Sequence, residues 1–343
     1  MAHDVQSDPR LDPRIKAVLA MIPTLEASDA TDRAQMLAEA QSPEGLAAAE
    51  LMHQLSEVFD SEEVAPSSGL RTHTETINSA PDGNTISLQV VRPDTDEELA
   101  CIYYLHGGGM MTGSCFDGPY RAWGRLLAAQ GVAVVMVDFR NCLSPSSAPE
   151  VEPYPAGLND CVSGFHWTVA HAADLGIDPA RIVISGESGG GNLTLATGLS
   201  LLRSGHIDRV KGLYALCPYI AGEWPQEHLV STYENNGILL DLHGRAGALA
   251  YGIEALESRD PLAWPLFATV EDVTGLPPTV INVNECDPLR DEGIEFYRLL
   301  LEAGVPARCR QQMGTMHGTE IFTIACPDVS RDTARDLAAF ARD

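Results

Sequence analysis

The stretch that decides the fold is Arg181-Ile-Val-Ile-Ser-Gly-Glu-Ser188-Gly-Gly-Gly-Asn192. Residues 182–185 form a short apolar run rich in β-branched side chains, the composition of a buried strand. Residues 193–203 have helical spacing and stop near Gly205. Between the two, four of the six residues 186–191 are glycine. Ordered glycine costs about 0.5–1 kcal/mol relative to alanine, so the cluster needs a geometric reason. A strand that reverses at once into a helix supplies one, because the two backbones then approach too closely for side chains. Ser188 stands at the tip of that turn.

The same alternation extends in both directions. Runs rich in Val, Ile and Tyr recur at residues 86–91, 100–105, 132–137, 210–216 and 279–283, and residues 307–312 are strand-like. Helical segments fall between them at 120–130, 157–173 and 291–303, stopping at or near glycines such as Gly131 and Gly304 that suit the left-handed cap. Strands alternating with helices of this length imply βαβ units and a mostly parallel sheet covered on both faces. Ahead of the sheet, Ile15, Val18, Leu19 and Ile22, and then Leu46, Leu51, Met52 and Leu55, recur at helical spacing, and residues 62–69 read as a linker. The expected organisation is therefore an N-terminal helical cap segment over 1–70 and a main α/β domain over 71–343. A polar insertion at about 221–265 interrupts that domain as a lid.

The bulk chemistry excludes several classes of function. With 48 Asp and Glu against 22 Lys and Arg, the formal charge is -26, which repels phosphate backbones and anionic bilayers. Nucleic acid, a membrane surface and strongly anionic substrates are thus not expected partners. No run reaches the ~18 apolar residues of a membrane span, and the start, MAHDVQSDPR, lacks the basic-then-apolar order of a secretory signal. The expectation is a cytoplasmic protein. Its eight cysteines are scattered, without a CxxC pair or a histidine at ligand spacing, so buried reduced thiols are expected and no metal.

Placed on a strand-to-helix turn, Gly-Glu-Ser188-Gly-Gly is the G-x-S-x-G nucleophile elbow. The helix N-terminus beside Ser188 offers unpaired N–H groups and a positive dipole end to an oxyanion. A second glycine cluster, His106-Gly-Gly-Gly-Met110, follows the strand at 100–105. Its bare amides suit an oxyanion hole made by Gly108, Gly109 and Gly189. A nucleotide loop would require G-x-G-x-x-G or a Lys-Ser/Thr ending, and neither is present. His106 reads as a loop-ordering residue.

A serine hydroxyl needs a base, and that base an orienting acid. Of the histidines downstream, His228 and His243 fall in the insertion, whereas His317 stands in the glycine-flanked loop Met313-Gly-Thr-Met-His-Gly318 after the strand at 307–312. Asp287 directly follows the strand at 279–283 and is the candidate acid, with Glu285 and Asp291 as rivals. It can also cap the next helix, with Pro288 at that helix's first position. Met110, Met111, Trp224, Leu239 and Leu240 are the candidate substrate-lining residues.

HGGGM at 106–110, VDFR at 137–140, EPYPA at 152–156, GESGGGN at 186–192, DPLRDEG at 287–293 and the His317 loop occur in an order that resembles a known family. They are similar to the hormone-sensitive-lipase-like branch of the α/β-hydrolases, closest in wording to brefeldin A esterase and similar bacterial carboxylesterases, over about residues 85–335. The resemblance implies an α/β-hydrolase fold with a helical cap, a Ser188–His317–Asp287 triad, no cofactor, and a serine carboxylesterase acting on small, soluble, uncharged esters. It leaves lactone hydrolysis, interfacial lipase activity, a non-catalytic ligand receptor on the same fold and a homo-oligomer open. Many relatives carry alanine where this chain has Gly189, a change expected to alter local rigidity rather than mechanism. A neutral histidine base implies activity that rises with pH through an imidazole titration near ~6.5.

Overall fold

The computed structural model describes residues 5–22 and 24–343. Residues 1–4 of the start that was read for a secretory signal lie outside the described residues. Ten strands are present among them: β1 (Leu25–Glu26), β2 (Leu70–Asn78), β3 (Thr85–Pro93), β4 (Leu99–Leu105), β5 (Ala133–Asp138), β6 (Ile177–Glu187), β7 (Gly212–Leu216), β8 (Leu240–Asp241), β9 (Thr279–Asn284) and β10 (Ala307–Gln312). Eight of them form one sheet in the order β10-β9-β7-β6-β4-β5-β3-β2. The pairs from β10 through to β5 are parallel, and β3 is antiparallel to both β5 and β2. This is the mostly parallel sheet that the alternating pattern implied, in the α/β-hydrolase fold that the resemblance implied.

The central strands are continuously apolar because both of their faces are covered. Ile102 and Tyr104 of β4 pack in the cluster that holds Trp123 and Leu127 of the helix Gly118–Ala128, and Leu337 and Ala341 of the helix Pro327–Arg342. Cys101, Tyr103 and Leu105, one residue out of step, join Phe165, Leu193 and Leu199 on the other side. The period-2 alternation of a strand is thus masked when neither face meets water.

Among the elements absent from the sequence reading are an edge strand and the terminal helix. The strand β2 has only Ile77 buried, since it sits at the sheet edge, and it therefore lacks the apolar run that marked the other strands. The terminal helix Pro327–Arg342 buries mostly small residues, including Ser330, Thr333, Ala334, Ala338 and Ala341, with Leu337 as the one large apolar side chain among them. The helix Pro43–Glu57 forms as expected, but Leu46 and Leu51 on it are exposed.

The parallel sheet gathers the ends of β4, β6, β7, β9 and β10 along one edge, where ligands bind in open α/β sheets. The backbones are closest at the start of the helix Gly189–Arg203. A Cβ on Gly190 would lie 2.0 Å from the Leu105 carbonyl oxygen and 2.6 Å from that of His106. Backbone atoms cannot yield as a flexible side chain can. Gly190→Ala is therefore expected to lower stability by about 3 kcal/mol, read as a lowered midpoint in chemical denaturation; an unchanged midpoint would contradict this account of the elbow.

Candidate active site

Ser188 adopts φ 57° and ψ -119° between β6 and the helix Gly189–Arg203. A positive φ at a non-glycine residue is strained, yet its backbone is tied down at both ends. The Ser188 N–H donates to Leu216 O at 3.0 Å, and the Ser188 carbonyl accepts from Asn192 at 3.0 Å and from Tyr219 at 3.1 Å. The side chain is thereby thrust past the sheet edge, where its Oγ lies 2.9 Å from His317 Nε2.

His317, on the loop after β10, places Nδ1 2.8 Å from Asp287 Oδ2. An ionised carboxylate only accepts hydrogen bonds, so in the neutral imidazole Nδ1 carries the proton and Nε2 is free to accept from the Ser188 hydroxyl. Asp287 Oδ1 accepts from the Leu289 N–H at 2.9 Å, and the residue thus also organises the following turn. The helix itself begins at Arg290, two residues beyond the expected start, and Pro288 precedes it. The rival acids are engaged elsewhere. Glu285 accepts from the Gly314 N–H at 2.7 Å, and Asp291 pairs with Arg290 at 2.8 Å. His228 and His243 are exposed beside Glu295 and Asp29.

The glycine loop after β4 is held from three sides. The Gly107 N–H donates to the Tyr120 hydroxyl at 2.8 Å, which in turn donates to Glu187 Oε1 at 2.7 Å. Tyr104 donates to the other oxygen of Glu187 at 2.9 Å. Met110 O accepts from Cys142 N–H at 2.9 Å, and Asn141 Nδ2 donates to Gly113 O at 2.8 Å. His106 is buried and stacks on Phe139 at 4.1 Å, in keeping with loop ordering. Among the described residues the N–H groups of Gly108 and Gly109 have no acceptor.

Gly189 requires a correction to the expectation of a merely local effect. A Cβ there would stand 2.6 Å from Met110 N and 2.7 Å from Gly109 N. The glycine loop is seated directly on Gly189, so an alanine would displace the loop that carries the other two amides.

Electrostatics at the site favour a charged histidine. Burial opposes the imidazolium, but the Asp287 carboxylate outweighs it and holds His317 well above the usual imidazole value. Burial pushes the Glu187 carboxyl up to about 7 against the pull of its two tyrosine partners, and it pushes the Cys217 thiol up to about 11. Cys217, Asp287 and His317 bring one ligand atom each within 4.8 Å of one another. The fold thus gives one cysteine a histidine neighbour that sequence spacing hid, although the pairing of His317 with Asp287 already satisfies both of those groups.

Beside Ser188 opens a cavity of about 500 Å³. Met111, Leu239 and Leu240 line it as expected. Met110 and Trp224 do not: Met110 is buried in the core, and Trp224 stacks on Tyr219 and donates its indole N–H to Glu292 at 2.8 Å. Among the wall residues that went unnoticed in the sequence are Tyr120, Glu187 and Tyr219. Glu187, inside the elbow motif itself, was the one open to discovery, because a carboxylate next to the exposed serine must be buried against donors.

A family described as having the alpha/beta hydrolase fold matches residues 102–321. Carboxylesterase NlhH of Mycobacterium tuberculosis is 33% identical over 253 residues, 73% of this chain and 76% of that relative. The structure of esterase Est22 matches with a TM-score of 0.97 at 60% identity over 99% of both chains. Brefeldin A esterase, described as a bacterial homologue of human hormone sensitive lipase, matches with a TM-score of 0.84 at 37% identity, covering 98% of this chain and 94% of that one.

A histidine titration followed by NMR tests the electrostatics directly. The His317 imidazole is expected to titrate above its ordinary value of ~6.5, and Asp287→Asn should bring the midpoint down by removing the stabilising charge. A midpoint at or below ~6.5 in the unsubstituted protein would mean that burial, not Asp287, governs the group.

Proposed function

The chain belongs to the α/β-hydrolase family, on its hormone-sensitive-lipase-like carboxylesterase branch, and is a carboxylic ester hydrolase; on that premise we propose that Ser188 is its nucleophile, His317 the base and Asp287 the orienting acid. The observation that carries this reading is the unbroken chain of hydrogen bonds at 2.9 Å and 2.8 Å from the Ser188 hydroxyl through His317 to a fully buried carboxylate.

His317 takes the Ser188 proton as Oγ attacks the ester carbonyl, and Asp287 steadies the imidazolium that results. The carbonyl oxygen, now an anion, is received by the N–H groups of Gly108, Gly109 and Gly189. His317 then protonates the departing alcohol, and water repeats the sequence on the acyl-enzyme. No step calls for a cofactor.

The preferred substrates are small, uncharged esters. The cavity is of ligand size at about 500 Å³, and the net charge of -26 disfavours anionic ones. The related esterase Est22 has been solved with p-nitrophenol, which is consistent with an aryl leaving group here. The described residues of the 1–70 segment and the insertion at about 221–265 act together as the cap. Leu25, Ala27 and Met36 from the first and Leu239, Leu240 and Leu242 from the second line the cavity, and β1 pairs with β8 to join the two.

Hydrolysis of p-nitrophenyl esters of rising chain length, read at 405 nm, is the direct test. Ser188→Ala is expected to lower kcat by roughly 10⁴ to 10⁶, and Asp287→Asn by about 10⁴ or somewhat less. Full activity in Asp287→Asn together with its loss in Glu285→Gln would refute the choice of acid. Because the neutral imidazole is the active form and Asp287 raises its pKa, kcat/KM should rise with pH along a limb centred above ~6.5. A limb centred below that value would contradict His317 as the base.

A further inference from the structure

Tyr219 lies just beyond β7 and is held by every part except its hydroxyl. Its N–H donates to Ser188 O at 3.1 Å, and its carbonyl accepts from Asn192 Nδ2 at 2.9 Å. The ring stacks on Trp224 at 4.4 Å and packs edge-on against Trp264 at 5.7 Å. The residue is 6% exposed. Such a ring cannot swing away to find water, and its position is tied to the backbone of Ser188 itself.

The hydroxyl of this fixed ring has no hydrogen-bond partner among the described residues. The oxygen is not sealed in the interior: it meets the cavity, where an acceptor on a bound molecule can take its hydrogen bond. The other buried polar side chains of the cavity wall are all engaged: Tyr120 and Glu187 with each other, and His317 with Asp287 and Ser188. Room for the Tyr219 hydroxyl is kept by Gly247, another wall residue, where a Cβ would stand 2.1 Å from the phenolic oxygen. Burial holds the phenol above its usual pKa, so it remains a neutral O–H donor throughout the working range.

Around the ring edge the neighbours are Gly109 and Gly247, whereas the leaving alcohol is drawn to His317. We propose that the Tyr219 hydroxyl donates a hydrogen bond to a second oxygen in the acyl part of the substrate, so that the enzyme favours esters of oxygen-bearing acids, with an ether, keto or hydroxyl oxygen a few bonds from the carbonyl, over their hydrocarbon counterparts. The inference rests on the esterase reading above and names the substrate class of the same site. A donor fixed in the cavity wall favours the ester that offers it an acceptor over the analogue that lacks one.

Chain-matched p-nitrophenyl esters isolate this interaction: methoxyacetate against butanoate, and 3-methoxypropanoate against pentanoate. The inductive effect of the ether oxygen is the same for any variant, so it cancels when ratios of kcat/KM are compared between enzymes. In Tyr219→Phe the ether-to-hydrocarbon ratio is expected to fall about fivefold to tenfold for at least one pair. Gly247→Ala, which puts a methyl group where the hydroxyl lies, should lower the same ratio. Unchanged ratios for both pairs in both variants would overturn the proposal while leaving the esterase reading intact. Failure of the unsubstituted enzyme to hydrolyse any of the four esters would instead overturn the esterase reading. A fall seen only between 2-methoxyethyl and butyl acetates would overturn the assignment to the acyl part.

Discussion

The reversal of the chain at Ser188 is the constraint on which the rest of the site depends. A serine at φ 57° carries strain on the order of 1–3 kcal/mol, and nothing local relieves it. What holds it is the sheet. The Ser188 N–H is taken by Leu216 at the end of β7, and its carbonyl by Asn192 in the following helix and by Tyr219 beyond β7. The strained residue is thus over-determined by elements on two sides, and the position of its Oγ is a property of the whole parallel sheet rather than of the six residues that spell the motif.

The same crowding passes to the neighbouring loop. Glycine at 189 lets the backbone of Gly109 and Met110 rest against the elbow, and the Gly107 amide is anchored through Tyr120 to Glu187, the residue immediately before Ser188. The serine and the amides proposed to receive its oxyanion are therefore referenced to one another and not merely placed nearby. Other strained residues gather here as well. Besides Ser188, positive φ occurs at Met110 in the glycine loop, at Cys217 beside His317 and at Leu239 in the cavity wall. Strain of this kind persists only where the surroundings dictate the conformation.

Legibility in the sequence followed the physics of each feature. The elbow, the glycine loop and the order of Ser188, Asp287 and His317 were readable because each needs a particular residue type at a strand end, and strand ends are visible as breaks in apolar runs. The strand β2 was not, since a sheet edge facing water has no apolar run to break. Met110 and Trp224 were mistaken for wall residues because proximity in sequence to a loop says nothing about which way a side chain faces; the core took one and Glu292 the other. Tyr120 and Tyr219 escaped for a further reason. Each acts at a distance of many residues, through a hydroxyl whose partner, or lack of one, exists only after the sheet has formed.

The cavity roof gives the charges their effect. The roof is drawn from segments more than two hundred residues apart, and the short pairing of Leu25 with Leu240 binds them. Asp12 N–H also donates to Gly314 O at 2.9 Å, and Arg33 reaches Ala250 O and Cys142 O, so the N-terminal segment touches the histidine loop, the insertion and the loop behind the glycine cluster together. A charge pair separated by a few ångströms interacts several-fold more strongly at an effective dielectric of about 20 than in bulk water, and Asp287 and His317 are both buried. The Asp287–His317 pair and the glycine amides are strengthened alike. The segments that roof the cavity therefore also bear on the electrostatics beneath them, because the burial of the Asp287–His317 pair and the shape of the space beside Ser188 come from the same contacts.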